Sequence, residues 1–318
     1  MDPSDYKESS NSIIKRYLDI RGCLNLDSIK KEISELEKLT SDQGFWNNAS
    51  KAKKVLQSIS DMKNEISVAD NLQSKFDDNG YIAINPLFSI DKIEEIKIEL
   101  SRYIKEVTPN VPDHHIFYEN KDDKTSIKQL QQMFTYDDYF KELIENSPIR
   151  EVAEIVLREK AEPKNLQFFN KPPGIGKPTP PHQDGYYFML KKHNAVTCWL
   201  ALEKVDEENG CIHYVKGSHL DEEYRPHGKS NILGFSQGVT DFGNENDKLN
   251  TVSFPGEAGT FLVHNARTIH WAEGNKSQTR TRKALGFIYY GESAEEDKEA
   301  HEAYQLKLRK ELEEKNLI

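Results

Sequence analysis

The sequence predicts an α+β chain with a mainly β core and flanking helices. Apolar residues recur at helical spacing before Phe76, and short β-type runs separated by Gly, Pro and Asn extend from Leu166 to Tyr290. A charged helical stretch follows Ser293. Many short strands at this spacing are typical of a sandwich, a jelly roll or a barrel.

Residues 1–75 are predicted to form an N-terminal helical segment, organised as a hairpin. Two apolar series at helical spacing lie on either side of the polar stretch SDQGFWNN: Ile29, Ile33, Leu36 and Leu39, then Ala52, Val55, Leu56, Ile59, Met62 and Ile66. The stretch LDIRGCLNLDSIKKEISELEKLTSDQGFWNNASKAKKVL, roughly residues 20–60, resembles the N-terminal helical segment of bacterial peptide-chain release factor 2. The GGQ-bearing part of that factor is absent here, so no termination activity is implied.

A second domain is predicted over residues 76–293, followed by a charged C-terminal helix over residues 294–318. The domain begins with a turn, a β-type run and a proline in DDNGYIAINPLFS, after which apolar residues recur at helical spacing: Ile93, Ile96, Leu100 and Ile104. The polar segment from Asp221 to Asn250 is long for a simple connection. We interpret this segment as a lid over a functional site, with a mobile insertion as the alternative.

The composition limits the classes of partner. The net charge is −10, which argues against a nucleic-acid partner because such binding depends on clustered Lys and Arg. No apolar run is long enough to cross a bilayer, and the first residues lack the pattern of an export signal. The cysteines, Cys23, Cys198 and Cys211, are too few and scattered for a disulfide framework. We expect a cytoplasmic protein without membrane or nucleic-acid partners, and its oligomeric state stays open.

A His-x-Asp pair, His182 and Asp184, is the first candidate for a metal site. Side chains alternate along an extended strand, so both residues would lie on one face and converge on one ion. The pair is weak evidence alone, because 10 His and 53 acidic residues among 318 give about 1.7 His-x-acid pairs by chance. The sequence holds two. The other, His219 and Asp221, follows a Gly-Ser turn signal and fits a surface loop better.

A third ligand would complete a set of two histidines and one carboxylate. His270 is the best candidate, because it follows a β-type run at the end of VHNARTIHW, and His264 competes for the same role. This ligand set leaves adjacent coordination positions open and suits iron(II) with a chelating co-substrate and oxygen. Zinc-dependent hydrolysis uses the same ligand types, so the triad alone does not fix the metal.

Two arginines in TRTRKALGFIYY provide the discriminating feature. Arg280 and Arg282 share one face of the predicted strand with Ala284. An inward-facing arginine needs an anion, because a buried unpaired guanidinium costs several kcal/mol. A dicarboxylate co-substrate would supply that anion through two parallel hydrogen bonds. The alternatives are a structural arginine paired with a core acid and an arginine at a strand edge in solvent.

Four longer motifs lie between Phe76 and Tyr290: FDDNGYIAI, FNKPPGIGKPTPPHQDGYYF, CWLALEKVDEENGCIHYVKGSH and GTFLVHNARTIHWAEGNKSQTRTRKAL. Together they resemble the phytanoyl-CoA dioxygenase family, whose members are iron(II)/2-oxoglutarate oxygenases. The resemblance implies a double-stranded β-helix, a cupin-like jelly roll, for residues 76–293. It also implies Fe(2+), 2-oxoglutarate and O2 as cofactors.

By position, the resemblance assigns iron binding to the pair His182 and Asp184 and to the distal histidine, His270. Related halogenases carry a small residue in place of the aspartate, so that chloride can reach the iron. Asp184 therefore favours hydroxylation over halogenation.

The resemblance also implies a set of residues that bind 2-oxoglutarate. Arg282 matches the arginine that holds the distal carboxylate. Arg280 is the alternative, since the stretch before it is one residue longer than in some relatives. Trp199 matches a residue that lines the co-substrate pocket, and Lys128 and Gln167 match more loosely.

The residues and the resemblance together predict a dioxygenase that hydroxylates a C–H bond of a small organic molecule, releasing succinate and carbon dioxide. Two alternatives stay open. One is the same chemistry on a protein or translation-linked substrate, motivated by the release-factor-like segment, and the other is a non-enzymatic jelly-roll binding protein. The identity of the substrate is not written in the sequence.

Overall fold

The computed structural model describes residues 26–232 and 235–300, together with positions 302, 303, 306 and 310. Cys23, the first residues of the release-factor-like stretch and most of the predicted C-terminal helix lie outside the described residues. The chain separates into two compact units, with the division between Lys75 and Phe76.

The first unit is a helical hairpin. Helix α1 (Leu26–Thr40) and helix α2 (Ala49–Asn79) are joined by a 3₁₀ turn, Gln43–Asn47. The apolar faces of the two helices meet in a small core that consists of Ile33, Ile59 and Met62, with Ile29, Leu36, Val55 and Ile66 packed against it. These are residues of the two apolar series that the sequence singles out, and the predicted hairpin is confirmed over the described residues.

Short antiparallel strands dominate the second unit. Their bounds are β1 Tyr81–Ile84, β2 Ile116–Tyr118, β3 Ile127–Leu130, β4 Ala161–Lys171, β5 Thr179–His182, β6 Leu190–Lys192, β7 Ala195–Ala201, β8 Ile212–Val215, β9 His227–Ile232, β10 Phe235–Val239, β11 Thr251–Phe254, β12 Phe261–Asn265, β13 His270–Ala272, β14 Arg282–Gly291 and β15 Glu295–Glu296. One sheet has seven strands in the order β1-β12-β7-β14-β4-β3-β2, and another has four in the order β11-β8-β13-β5. Two further pairs are β9 with β10 and β6 with β15.

Helices flank these sheets. Their bounds are α3 Ile90–Arg102, α4 Met133–Tyr136, α5 Asp138–Glu145, α6 Pro148–Leu157, α7 Gly185–Phe188 and α8 Glu245–Asn250. Side-chain caps fix where the longer ones begin: Ser89 accepts a hydrogen bond from the Lys92 amide at the start of α3, and Ser147 caps α6. Within the part of the chain that the structure describes, no helix combines the length and the apolar character that a membrane span requires.

Strand β7 shows why the core lies where it does. All of its residues, AVTCWLA, are buried, and it pairs with β12 on one side and β14 on the other. A continuous apolar run of this length fits a strand that is covered on both faces. Thr197 and Trp199 of this strand project from the same face as Arg282 of β14, because directly paired residues share a face. This shared face carries the polar groups described next.

Candidate active site

Three side chains named by the sequence converge in the second unit. The ligand atoms of His182, Asp184 and His270 all lie within 4.8 Å of one another. Nε2 of His182 lies 3.3 Å from Oδ1 of Asp184, and Nε2 of His270 lies 3.6 Å from the same oxygen. One ion could therefore be held by two imidazole nitrogens and one carboxylate oxygen.

Pairing of β5 with β13 brings the two histidines together. His182 ends β5, His270 begins β13, and the two are direct partners in the strand register. Nδ1 of His182 donates to the carbonyl of Pro180 at 2.8 Å, and Nδ1 of His270 donates to the carbonyl of Thr268 at 3.0 Å. Because a carbonyl only accepts, each ring proton lies on Nδ1 and each Nε2 lone pair is left for a metal.

Asp184 reaches the site through a turn and not along a strand. Strand β5 ends at His182, and Asp184 has helical backbone angles, φ −57° and ψ −39°, just before α7. The sequence argument from strand alternation is therefore wrong in its geometry, although it names the converging residues. The Gly185 amide donates to the Ala266 carbonyl at 2.8 Å, and a Cβ at this glycine would lie 2.1 Å from the Tyr224 hydroxyl oxygen. Glycine at this position thus lets the chain turn tightly.

The second oxygen of Asp184 is held by two further side chains. Thr197 donates its hydroxyl to Oδ2 at 2.5 Å, and Nε2 of His264 lies 3.1 Å from the same oxygen. On the other side of that ring, the Tyr214 hydroxyl donates to Nδ1 at 2.9 Å. His264, the competing candidate for the third ligand, therefore lies beside the triad and orients its carboxylate. Oδ1 is left facing the two ligand histidines.

The electrostatics of the triad favour an ionised carboxylate beside a neutral His270 ring. Burial alone would raise the pKa of Asp184, but the surrounding imidazoles of His270, His182 and His264 hold this pKa well below its usual range. Burial holds the pKa of His270 well below its usual value. Two neutral imidazoles and one carboxylate are the donor set that iron(II) takes in oxygenases, so the residues present fit that metal.

Arg282 is a buried cation without an acidic partner. It is 5% exposed, and its Nε lacks a hydrogen-bond partner. No carboxylate of the described residues pairs with it, since the neighbouring Glu203 accepts from Thr281 and pairs with Lys283. Burial lowers the pKa of Arg282 to about 10. Its guanidinium lies 5.7 Å from the ring centroid of Trp199. A guanidinium in this setting is suited to an anion that enters the site.

Arg280 is engaged elsewhere. Its guanidinium makes two hydrogen bonds to Asp206, at 2.8 Å and 2.9 Å, and one to Glu208 at 2.5 Å. Its side chain is 35% exposed. The two arginines that the sequence could not separate thus differ sharply in surroundings.

The remaining predicted residues lie around the same face. Gln167 pairs in register with Gly286 of β14, which in turn pairs with Trp199. The Gln167 side-chain oxygen accepts from the Gln129 amide at 2.6 Å. Lys128 is buried, which lowers its pKa. Its charge acts on Lys171, the register partner of Arg282. Sequence reasoning did not name Gln129.

Comparison with protein families identifies the family of this chain. The family model of phytanoyl-CoA dioxygenase matches residues 76–284. The chain belongs to the phytanoyl-CoA dioxygenase family. The match spans the triad, Trp199 and Arg282, and the family expected from the sequence motifs is confirmed.

Individual relatives agree with the family match. The peroxisomal phytanoyl-CoA dioxygenase of Bos taurus is 28% identical over 226 residues, which cover 67% of this chain and 66% of that protein. A probable alpha-ketoglutarate-dependent hypophosphite dioxygenase of Stutzerimonas stutzeri is 23% identical over 218 residues. The matched region covers 67% of this chain and 76% of that protein. The chain thus spans about two thirds of the bovine relative.

The solved structure of SnoK, a non-heme alpha ketoglutarate dependent carbocyclase from nogalamycin biosynthesis, has the same fold. It superposes with a TM-score of 0.58 at 22% identity, over 71% of this chain and 87% of SnoK. The predicted jelly roll is confirmed. Family membership and the relatives also confirm the expected enzyme class, a 2-oxoglutarate-dependent dioxygenase, with iron, 2-oxoglutarate and O2 as its cofactors.

The polar segment Asp221–Asn250 packs beside the triad of this family member. It carries the β9–β10 hairpin and α8. The ring of His227 stacks on Tyr186 with centroids 4.1 Å apart, and the Tyr187 hydroxyl donates to the Gln237 carbonyl. Both tyrosines follow Asp184 within three residues of the chain, so the hairpin contacts residues close to the triad.

Two polar groups near the site have structural partners. Arg225, in the polar segment, pairs with Asp241 at 3.0 Å and Asp247 at 2.6 Å. His219 of the second His-x-Asp pair donates from Nε2 to the Asp77 carbonyl at 3.0 Å. Sequence reasoning missed Thr197, although its spacing of two from Trp199 placed it on the same face of the strand.

Proposed function

We propose that this chain hydroxylates a C–H bond of a small organic molecule, consuming O2 and 2-oxoglutarate and releasing succinate and carbon dioxide. The observation that carries the proposal is the pairing of the triad with Arg282. A buried guanidinium without an acid is costly in a protein that binds no anion. The Arg282 guanidinium lies on the face that also carries Trp199, and its burial there is explained if the distal carboxylate of 2-oxoglutarate is its ion-pair partner.

In this proposal His182 and His270 would hold iron(II) through Nε2, and Asp184 through Oδ1. When bound, iron(II) with 2-oxoglutarate supplies the oxidising chemistry, in which one oxygen atom enters the substrate and the other enters succinate. The protein's own residues position the reactants. Arg282 orients the co-substrate by two parallel hydrogen bonds, and Trp199 covers one face of that guanidinium.

Asp184 has a further consequence for the reaction type. Thr197 and His264 both bind Oδ2, so the carboxylate is fixed with Oδ1 toward the histidines. A carboxylate held in this way occupies a coordination position that a halide would need. This arrangement supports hydroxylation over halogenation.

We further propose that residues 76–293 are the catalytic domain and residues 1–75 a helical appendage. A C-terminal helix was expected over residues 294–318, but Glu295 and Glu296 form strand β15 against β6, so a helix can begin only after this strand. The contacts of the hairpin with Tyr186 and Tyr187, which place it beside the triad, support a small-molecule substrate. We place the enzyme in the cytoplasm, and the two described cysteines, Cys198 and Cys211, support this placement as unpaired thiols.

Succinate release across a substrate panel tests the proposed function. The panel would contain small carboxylic acids, amino acids, phosphonates, hypophosphite and acyl thioesters. We expect one class to raise succinate formation above the uncoupled rate and to yield a product heavier by one oxygen atom. Turnover on a folded protein substrate with none on the panel would contradict the small-molecule assignment.

A further inference from the structure

A second cluster of metal-ligating side chains lies outside the triad. Glu207, Cys211 and His213 each offer one ligand atom, and these atoms all lie within 4.8 Å of one another. Glu207 and Cys211 belong to the turn before β8, and His213 belongs to β8 itself. The thiol of Cys211 is fully buried, and the turn brings it within this distance of the His213 ring.

In this cluster the carboxylate of Glu207 faces two hydrogen-bond donors. Nε2 of His213 lies 3.2 Å from Oε2 of Glu207, and the Cys211 thiol also donates to Glu207. An N–H group and an S–H group thus face the same carboxylate. This arrangement is the protonated form of a metal-binding set, since a divalent cation can take the place of both protons. The Glu207 side chain is 60% exposed and that of His213 is 12% exposed, so the cluster opens to solvent at the glutamate.

The ligands are held in place before any ion binds. The ring of His213 stacks on Trp271 with centroids 5.1 Å apart and planes 15° apart. The turn that carries Glu207 is closed by bonds from the Gly210 and Cys211 amides to the Asp206 carbonyl, at 3.0 Å each. Preorganised ligands lose little conformational entropy when a metal binds.

The His213 ring can present its Nε2 lone pair to a cation. Its Nδ1 is buried and forms no hydrogen bond among the described residues, so no described partner fixes which nitrogen carries the ring proton. With a cation at Nε2, the proton would lie on Nδ1 and Glu207 would be released to bind the cation.

We propose that Glu207, Cys211 and His213 form a second metal site, which binds a zinc-type divalent cation. One thiolate, one imidazole and one carboxylate are the ligand types that zinc and cobalt(II) accept, with a water completing a tetrahedral set. On binding, Cys211 loses its proton to solvent and its sulfur bonds the metal. This site differs from the triad in its sulfur ligand, which gives it a separate spectroscopic signature.

Cobalt(II) titration of the metal-free, reduced protein tests the proposal. We expect two cobalt equivalents to bind, and one of them to produce a near-ultraviolet thiolate-to-cobalt charge-transfer band. His182→Ala should lose one equivalent and keep this band, since the triad contains no sulfur. The band would then belong to a site independent of the catalytic metal.

Matched variants identify the ligands. Cys211→Ser should abolish the band, while Cys198→Ala, which changes the other buried thiol of the described residues, should keep it. Glu207→Gln changes an exposed side chain and should fold normally, yet weaken cobalt binding at this site about tenfold or more. Absence of the band in the unmodified protein, its loss in Cys198→Ala, or an unchanged affinity in Glu207→Gln would each overturn the proposal.

Discussion

Replacement of Arg282 by methionine isolates the residue on which the co-substrate assignment depends. Among the described residues Arg282 has no acidic partner and its Nε is unbonded, and burial lowers its pKa to about 10. In the proposed complex it makes two parallel hydrogen bonds to the distal carboxylate of 2-oxoglutarate. Arg282→Met removes both bonds and keeps an apolar stem against Trp199.

The expected magnitude follows from these contacts. A hydrogen bond to a charged group is worth about 1.5 kcal/mol at the low end, so two contribute about 3 kcal/mol. Each 1.4 kcal/mol is about tenfold in affinity, and the Kd for 2-oxoglutarate should therefore rise about 100-fold. The free energy of unfolding of the protein without 2-oxoglutarate should not fall, because the substitution removes a desolvated, uncompensated charge.

Calorimetric titration of 2-oxoglutarate under anaerobic conditions measures the first quantity, and denaturant unfolding measures the second. Arg280→Met is the matched control, since it breaks the contacts to Asp206 and Glu208 and should leave the Kd within about twofold. The reasoning is refuted if Arg280→Met weakens 2-oxoglutarate binding as much as Arg282→Met does.

Three further predictions concern stability and the support of the site. Tyr214→Phe leaves Nδ1 of His264 without a hydrogen bond. Denaturant unfolding should show a free energy of unfolding lower by about 1–3 kcal/mol, and iron titration should show an affinity about tenfold weaker. Unchanged values would exclude a role for the hydrogen bonds that link Tyr214 through His264 to Asp184. Gly286→Ala places a Cβ 2.6 Å from Cε2 of Phe169 and should cost about 1–3 kcal/mol in denaturant unfolding, whereas a neutral effect would mean that this ring yields freely. Burial lowers the pKa of His115 to about 4 in the folded protein, below the usual 6.5, so the unfolded chain binds this proton more tightly. The free energy of unfolding should therefore fall as pH decreases from about 6.5 to about 4. This loss should be smaller in His115→Gln, and an equal loss in both proteins would contradict the assignment.

The triad could be named from the sequence, but its geometry could not. His182, Asp184 and His270 were identified by residue type, spacing and family motifs. Their convergence was argued from a continuous strand, whereas β5 ends at His182 and Asp184 follows in a turn. Gly185 was the available signal, because a glycine directly after the ligand permits a close approach of the chain.

The two arginines show what alternation cannot resolve. The sequence pattern placed Arg280 and Arg282 on one face of a strand, but β14 begins at Arg282 and Arg280 precedes it. Arg280 is bound by Asp206 and Glu208, which lie more than seventy residues away in the sequence. Contacts of this range depend on the whole fold, and a pattern within one strand carries no information about them.

The same limit applies to the groups around the co-substrate face. The pair of Gln129 with Gln167 joins strands β3 and β4, which are distant in the chain. The sequence named Gln167 through the family motif but not Gln129, because the pairing of β3 with β4 depends on a register that one sequence does not reveal.

Anaerobic titration of iron(II) and 2-oxoglutarate tests the central claim most directly. We expect the weak visible absorption band of the iron(II)/2-oxoglutarate chelate to appear in the unmodified protein with one equivalent of each. His182→Ala should not form it, because one of the three ligands is missing. Absence of the band in the unmodified protein, or its persistence in His182→Ala, would contradict the assignment of His182, Asp184 and His270 as the iron site.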